Sequence, residues 1–455
     1  MTTPLRPPGP SGPFPLQIVL AFRDPLAYLE GVRDRYGDIV MLRRDKTYLL
    51  CTPDGVKRVL QDNHMNYVKG PVYREGARPL MGDGLFTADG EEWKRQRRVA
   101  QPAFSRTLHD EFAALINGEV RVTCDRWMAK ARAGASIDLH PELVWATLRI
   151  ALRLVFGESV DHRVDELTAA FLKAQKEINL LSAFNPLSPP EWVPTPSHVR
   201  FRAGKRVLHE FVLATIARRR ASRERGSDLL SLYLKAAEQE DGPVDIPLLR
   251  DEMMTLLATG HDVTCDAITW TLYFLMKHPD VEQRLTRIIQ QTLAGRAPTL
   301  ADLAAMPYLG WVINESMRIN PPAWGMLRTS VGPDTLCGYP IGPQCRVIVS
   351  PYVVHRNPQV WDRPLEFEPD RFDPERMKGK HRFAFFPFGA GPRQCIGMGV
   401  ATIEAQLFLA TLLGTFRFEM EPGQDIRPMP RVSLKPNGPI RTRVHRREVG
   451  GPVTV

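Results

Sequence analysis

The sequence predicts a mainly α-helical molecule with a minor β portion, and three observations carry that reading. Apolar residues recur at helical spacing over much of the stretch from residue 108 to residue 416. Residues 248–278 hold one glycine and no proline and are apolar on most faces, as expected of a helix through a protein's centre. Strand-like patterns gather only towards the two ends of the chain.

Taken in order, residues 1–15 are proline-rich and read as an irregular lead-in. Residues 37–52 read as a hairpin, with 38–42 and 47–51 as strands either side of a charged turn. Helices are expected over 108–133, 141–156, 164–184, 198–225, 248–278, 281–294, 301–319 and 397–416. Strands then return, with Asn437-Gly438 expected to turn a hairpin.

A chain of 455 residues can bury a large core, and that length alone would suggest more than one domain. The second proline-rich stretch, 186–196, is short and flanked by helical patterns, so a single domain over 1–455 is expected. The apolar run 16–22 is far shorter than the ~20 residues a bilayer requires. It has no basic region before it and no small-residue cleavage site after it, so a cytoplasmic protein without a membrane anchor is expected. Cysteines at 51, 124, 265, 337, 345 and 395 show no paired spacing, and reduced thiols follow. The formal charge of +9, from 60 basic and 51 acidic residues, is spread along the chain. It suits either solubility or the steering of an acidic protein partner. Nothing resembles a zinc finger, an aromatic-basic sheet or a DNA-binding basic helix, so nucleic acid is not implied.

The most informative stretch is Phe388-Gly389-Ala390-Gly391-Pro392-Arg393-Gln394-Cys395-Ile396-Gly397. Glycines around a cysteine let backbone amides and a flat ligand come close to its sulfur. The pattern formed by Phe388, Gly391, Arg393, Cys395 and Gly397 resembles the haem-binding loop of the cytochrome P-450 family. The resemblance implies haem b held between the long central helix and this loop, with the Cys395 thiolate as axial ligand. It also implies that Arg393 reaches a haem propionate and that Phe388 shields the thiolate from water.

Further elements follow in the family's order. Trp93 and Arg97, four apart and so on one helix face, resemble the pair that meets a propionate. Arg328, ten residues after Arg318, resembles a further propionate arginine. Glu315 and Arg318 would join Arg371, from Phe367-Glu368-Pro369-Asp370-Arg371-Phe372, in a buried ion network with a structural role. On the central helix, Ala258-Thr259-Gly260-His261-Asp262-Val263-Thr264 resembles the oxygen-activating segment, and Gly260 and Asp262 match it. The usual threonine after the acid is replaced by Val263. Thr264 follows, turned about 100° around the helix, so it substitutes only if the helix is distorted. Asp262 is then the expected proton relay. His261 reads as a helix residue facing solvent or a salt-bridge partner.

By the same resemblance the substrate pocket draws on 71–86, 178–201, 257–259, 323–326 and 432–434. These segments offer Leu80, Phe86, Leu180, Leu181, Phe184, Leu257, Ala258, Trp324 and Met326, a mostly apolar set suited to a terpenoid, fatty acid or polyketide. The implied activity is a monooxygenase using O2. No flavin- or nicotinamide-binding segment is visible, so NAD(P)H electrons would arrive from a reductase through a ferredoxin or flavodoxin, with the enzyme itself a monomer. Two other readings stand beside it: oxidative cyclisation, coupling or desaturation without oxygen insertion, and a haem-thiolate sensor without turnover.

Overall fold

The helix Ile246–Lys277, 32 residues long, is the axis of the fold in the computed structural model, which describes residues 6–447 apart from 13, 44–45, 158–161, 178–192, 223–225 and 239–243. Asp245 caps it by accepting from the Leu248 amide, and Pro247 lies in the first turn, where a missing N–H costs nothing. Its end at His278 is followed by Pro279, which opens the next helix. Met253, Leu257, Ile268 and Trp270 are buried along it. Leu139–Phe156 packs most extensively on this helix, and Pro196–Ser222, Pro307–Ile319 and Met398–Thr415 complete the surround.

The expected helices form with ends shifted by a few residues: His109–Arg132, Leu139–Phe156, Val164–Glu177, Pro196–Ser222, Pro279–Leu293 and Met398–Thr415. The expected continuations over 178–184 and 223–225 lie outside the described residues. One expectation is corrected. Residues 301–319 make two helices, Leu300–Ala305 and Pro307–Ile319. Pro307 has no N–H to extend the first ladder, so it starts the second instead. Met398–Thr415 is long and apolar enough to cross a membrane, yet its Leu407, Phe408 and Leu409 are buried among the other helices.

The expected N-terminal hairpin forms, as Ile39–Arg43 and Thr47–Leu50, with Ile39 opposite Leu50. It supplies two strands of a five-stranded sheet that continues through Arg346–Val349, Met326–Ser330 and Tyr67–Val68. Thr47–Leu50 and Arg346–Val349 run parallel, so the sheet joins segments from opposite ends of the helical body. Ser136–Asp138, Arg441–Arg446 and Phe416–Met420 form a smaller antiparallel sheet.

The Asn437-Gly438 expectation is also corrected. The C-terminal hairpin pairs Pro428–Pro430 with Leu434–Pro436, so its tip is at 431–433. Gly438 has no positive φ, which a type I′ turn demands. Asn437 instead closes the hairpin's base, its Oδ1 accepting from the Arg427 amide at 2.9 Å. Trp270 of the central helix donates from Nε1 to the Leu434 carbonyl at 2.7 Å and pins this hairpin to the axis.

Candidate functional site

Cys395 lies in a loop that folds back on itself: its amide donates to the Phe388 carbonyl at 2.9 Å and the Gln394 amide to that of Gly391 at 3.0 Å. Gly389 and Gly391 adopt φ of 69° and 68°, the left-handed region that favours glycine. Gly391 is also pressed against neighbouring backbone, since a Cβ there would stand 1.9 Å from the Leu60 carbonyl oxygen. The thiol is ringed by protein, and burial pushes its pKa up, opposed by the Gly397 amide and by Arg97. Cys395 is nevertheless exposed, so it faces a hollow within the molecule.

Cations gather beside that hollow. Arg97, on the helix Gly90–Ala100, donates from one guanidinium nitrogen to the Gln394 carbonyl at 3.0 Å, tying its helix to the cysteine loop. Arg393 pairs with Asp89 and lies 4.4 Å from the centre of the Trp93 ring. Arg328 is buried on its strand with one hydrogen bond to the Leu327 carbonyl. Lys69, which sequence reasoning missed, donates to the carbonyls of Leu85 at 3.2 Å and Phe86 at 2.5 Å. Burial, with Arg393 and Arg328 close by, pushes its pKa down to about 7. Three guanidinium groups and a lysine set against one paired aspartate leave an excess of positive charge in an enclosed place, which the two propionates of a haem would offset. The residues therefore fit the group. A lysine ahead of Gly70-Pro71 gives no local signal of this; only the fold brings it to Arg328 and Arg393.

On the central helix Gly260 is exposed and Val263 is half-buried. Val263 and Thr264 both line a cavity of about 80 Å³ with Ala267, Met317, Phe388 and Ala401. The helix is unbroken here, and the Thr264 hydroxyl donates to the Gly260 carbonyl at 3.4 Å. Thr264 thus lines the cavity from an unbroken helix. Asp262 points elsewhere: its carboxylate accepts from Ser433 at 2.6 Å and Lys435 at 2.5 Å. Burial alone would raise its pKa, but the Lys435 ammonium, His261 and these bonds hold it well below the usual carboxylate range. His261 is neither solvent-facing nor ion-paired, contrary to expectation. It is wholly buried, bonded through Nδ1 to the Leu257 carbonyl at 2.6 Å and edge-on to Phe171, because the helix lies within the core on that side too.

The ion network is brought together as the motifs suggest. Glu315 and Arg318 are wholly buried and share two hydrogen bonds of 2.6 and 2.8 Å, while Arg371 reaches Glu315 at 3.2 Å. Arg318 spends its other donors on the carbonyls of His355, Pro364 and Glu366. His355, unforeseen in the sequence, carries the network to the cysteine loop: its Nε2 accepts from the Phe386 amide at 2.9 Å. Burial and the nearby Arg318 push its pKa down to about 3, so the imidazole is neutral and free to accept.

The pocket candidates are divided by the fold. Leu80, Leu257 and Ala258 are buried, and Phe86 stands edge-on to Tyr73 with Lys69 over its ring. Met326 comes up beneath Gly389. Trp324 packs with Leu26, Tyr352 and Leu434 and donates to the Arg431 carbonyl at 2.9 Å, bracing the C-terminal hairpin. Leu180, Leu181 and Phe184 lie outside the described residues.

Comparison with known proteins gives the same family throughout. A family model described as cytochrome P450 matches residues 7–443. The chain is 34% identical over 428 residues to cyclooctatin synthase of Streptomyces melanosporofaciens, covering 93% of this chain and 92% of that protein. It is 31% identical over 433 residues to pentalenene oxygenase of Streptomyces avermitilis, covering 94% of each. Leukotriene-B4 omega-hydroxylase 3 of Mus musculus is 29% identical over 422 residues, with 87% and 79% covered. A mainly helical body, a cysteine loop whose Phe388 shares a cavity with the long central helix and a family match across nearly the whole length agree: the chain belongs to the cytochrome P450 family and is a haem-thiolate monooxygenase.

Proposed function

We propose that Cys395 is the thiolate ligand of the haem, and that the enzyme oxygenates a cyclic, mostly hydrocarbon molecule of the terpenoid class in specialised metabolism. The observation that supports this reading is the glycine-turned loop that leaves Cys395 exposed, with its Phe388 on the same cavity as Val263 and Thr264 and basic side chains at its flank. Bound there, haem supplies dioxygen activation, the thiolate pushing electron density towards the metal. Overall, a substrate C–H bond, O2, two electrons and two protons give a C–OH bond and water.

The protein's own residues then have separable tasks. The Gly397 amide and Arg97 stabilise the sulfur as an anion, opposing the burial that favours the thiol. Trp93, Arg97, Arg328, Arg393 and Lys69 hold the propionates, and Phe388 keeps water from the sulfur. Gly260 leaves room above the site because it has no side chain there. Asp262 passes protons, and Thr264, on the cavity wall, holds water for that transfer. Leu80, Phe86, Leu257 and Ala258 make the apolar wall. Relatives named for oxygenating pentalenene and cyclooctat-9-en-7-ol, by those names an alkene and an unsaturated alcohol, support this substrate class over a charged one.

Electrons come singly from a ferredoxin or flavodoxin, reduced by its reductase at the expense of NAD(P)H. An open groove of about 650 Å³ lined by Trp93, Lys94, Arg97, Arg98 and Gln101 offers an acidic donor a basic landing beside the cysteine loop. In this reading the enzyme is a cytoplasmic monomer, in keeping with six unpaired thiols.

Carbon monoxide treatment of the reduced protein tests the ligand: the absorption band that names the family is expected, and its survival in Cys395→Ala would sink the assignment. Cyclic terpenoid hydrocarbons and alcohols are expected to shift the Soret band and to be oxygenated with added ferredoxin and reductase. A shift with fatty acids alone overturns the substrate class. Val263 on the cavity wall favours one second reading, oxidative ring closure or desaturation. Turnover under labelled dioxygen separates the two, since that reading puts no label in the product.

A further inference from the structure

Residues 82–86 belong to no helix or strand, yet Leu85 is buried and Phe86 half-buried, so their peptide groups need partners from elsewhere. Side chains supply most of them. Near the start of the central helix, Asp251 Oδ2 accepts from the Asp83 amide at 2.9 Å and Glu252 Oε2 from the Leu85 amide at 3.2 Å. The Gly82 carbonyl accepts from Thr87 Oγ1 at 2.7 Å, the Asp83 carbonyl from Gln96 Nε2 at 2.9 Å, and the carbonyls of Leu85 and Phe86 from Lys69. Leu85 is thus gripped on both sides, its N–H by an acid of the central helix and its C=O by a lysine from the end of the strand Tyr67–Val68.

Two glycines let this segment lie against the helix. A Cβ at residue 82 would stand 2.0 Å from the Asp251 carboxyl carbon, and one at residue 84 would stand 2.4 Å from Thr255 Oγ1 and 2.7 Å from the Asp251 carbonyl oxygen. The second acid is a costly way to hold one amide. Glu252 is buried, its Oε1 has no hydrogen bond among the described residues, and burial, with Asp251 and Glu92 nearby, pushes its pKa up to about 7 against the Leu85 amide and Lys69. An apolar side chain of like size would be buried there without that penalty, so what the carboxyl contributes is a fixed place for Leu85. The residue next along is Phe86, whose ring stands edge-on to Tyr73 with centres 5.5 Å apart, while the Leu327 amide, one residue before Arg328, donates to the Tyr73 hydroxyl at 3.4 Å.

We propose that Glu252 and Asp251 are positioning residues, which hold residues 82–86 on the central helix so that Phe86 takes one place in the pocket wall, and that they thereby set which molecules fit beside it. The inference rests on the reading that Phe86 belongs to that wall. No ladder holds the segment, so without the carboxyl on its amide Leu85 is left with a buried N–H unpaired, and the cheapest remedy is for the turn to move towards water and take Phe86 with it. Lys69, bonded to the Phe86 carbonyl and assigned to a propionate, ties the same turn to the cofactor.

Two azoles test this without a known substrate. Imidazole and 4-phenylimidazole both ligate ferric haem and move the Soret band to longer wavelength, but only the second carries a ring that has to fit beside the wall. Phe86→Ala is expected to change their affinity ratio about tenfold, and Glu252→Leu to change it about as much in the same direction. Glu252→Gln, which keeps an acceptor for the Leu85 amide, is expected to retain the native ratio. In the double variant of Phe86→Ala with Glu252→Leu the two effects are expected not to add, because both act through one ring. A native ratio in Glu252→Leu, or effects that add, overturns the proposal; a merely structural role would lower Tm and leave the ratio alone. If Glu252→Leu does not fold, Gly84→Ala, which meets Thr255, is expected to shift the ratio in its place, and a native ratio there overturns the proposal equally. Phe86→Ala keeps the two readings apart: if it leaves the ratio native, the wall reading fails and the proposal with it, whereas if only Glu252→Leu does so, the wall stands and the positioning role falls.

Discussion

Single residues decide the chemistry at three points. Val263 stands where a hydroxyl is usual, and Val263→Thr is expected to raise product formed per electron pair; an unchanged ratio means that Thr264 and Asp262 already suffice. Lys69 lies beside Arg393 and Arg328 and is proposed to hold a propionate, where a hydrogen bond to a charged group contributes about 1.5–3 kcal/mol. Lys69→Met is therefore expected to speed haem loss to a scavenging apoglobin by about ten- to a hundredfold. His355 is held neutral, with its pKa pushed down to about 3 by burial and Arg318. Because the unfolded chain takes up a proton near pH ~6.5 and the folded one does not, stability is full above that pH and declines below it. This one group contributes a loss of about 2–3 kcal/mol between about pH 6.5 and about pH 4.5, set against the opposite slope of Glu252, whose pKa burial pushes up to about 7. Urea unfolding at several pH values checks this, and His355→Gln, which keeps an acceptor for Phe386, is expected to flatten the slope.

Among the elements, the cysteine loop is the most constrained, since two left-handed glycines and a backbone contact fix its path. Gly391→Ala meets the Leu60 carbonyl and a φ of 68° at once. It is expected to abolish the carbon monoxide band while far-ultraviolet circular dichroism keeps its helical signal. Gly438→Ala, with nothing within 4 Å, is the neutral control. The Cys395 motif was legible because a loop that must approach a flat ligand needs glycine at set places, and those places are local in sequence. The break at Pro307 was equally local and is explained by one missing N–H. The C-terminal hairpin was misread because Asn-Gly favours a turn only if the strands beside it pair. Here Leu434–Pro436 pairs with Pro428–Pro430 and Arg441–Arg446 with another sheet.

At the scale of the molecule, charge and fold meet on the face of Gly90–Ala100, where Arg95 and Arg98 are exposed beside the groove. If an acidic donor lands there, the rate of electron transfer measured by stopped flow falls as salt rises from about 0.05 to about 0.5 M. A rate independent of salt removes that docking face. The family, the glycine-framed cysteine loop, the placing of Trp93 and Arg97 on one helix and the Glu315–Arg318–Arg371 set followed from sequence alone, because each is a local pattern whose spacing is imposed by helix or loop geometry. Tertiary structure decided the rest. It brought Lys69 to Arg328 and Arg393, His355 to Phe386, and Lys435 and Ser433 to Asp262, all from segments far apart in the chain. Burial and buried charge, and with them the protonation of Asp262 and His355, are properties of what surrounds a side chain, and no run of neighbouring residues encodes them.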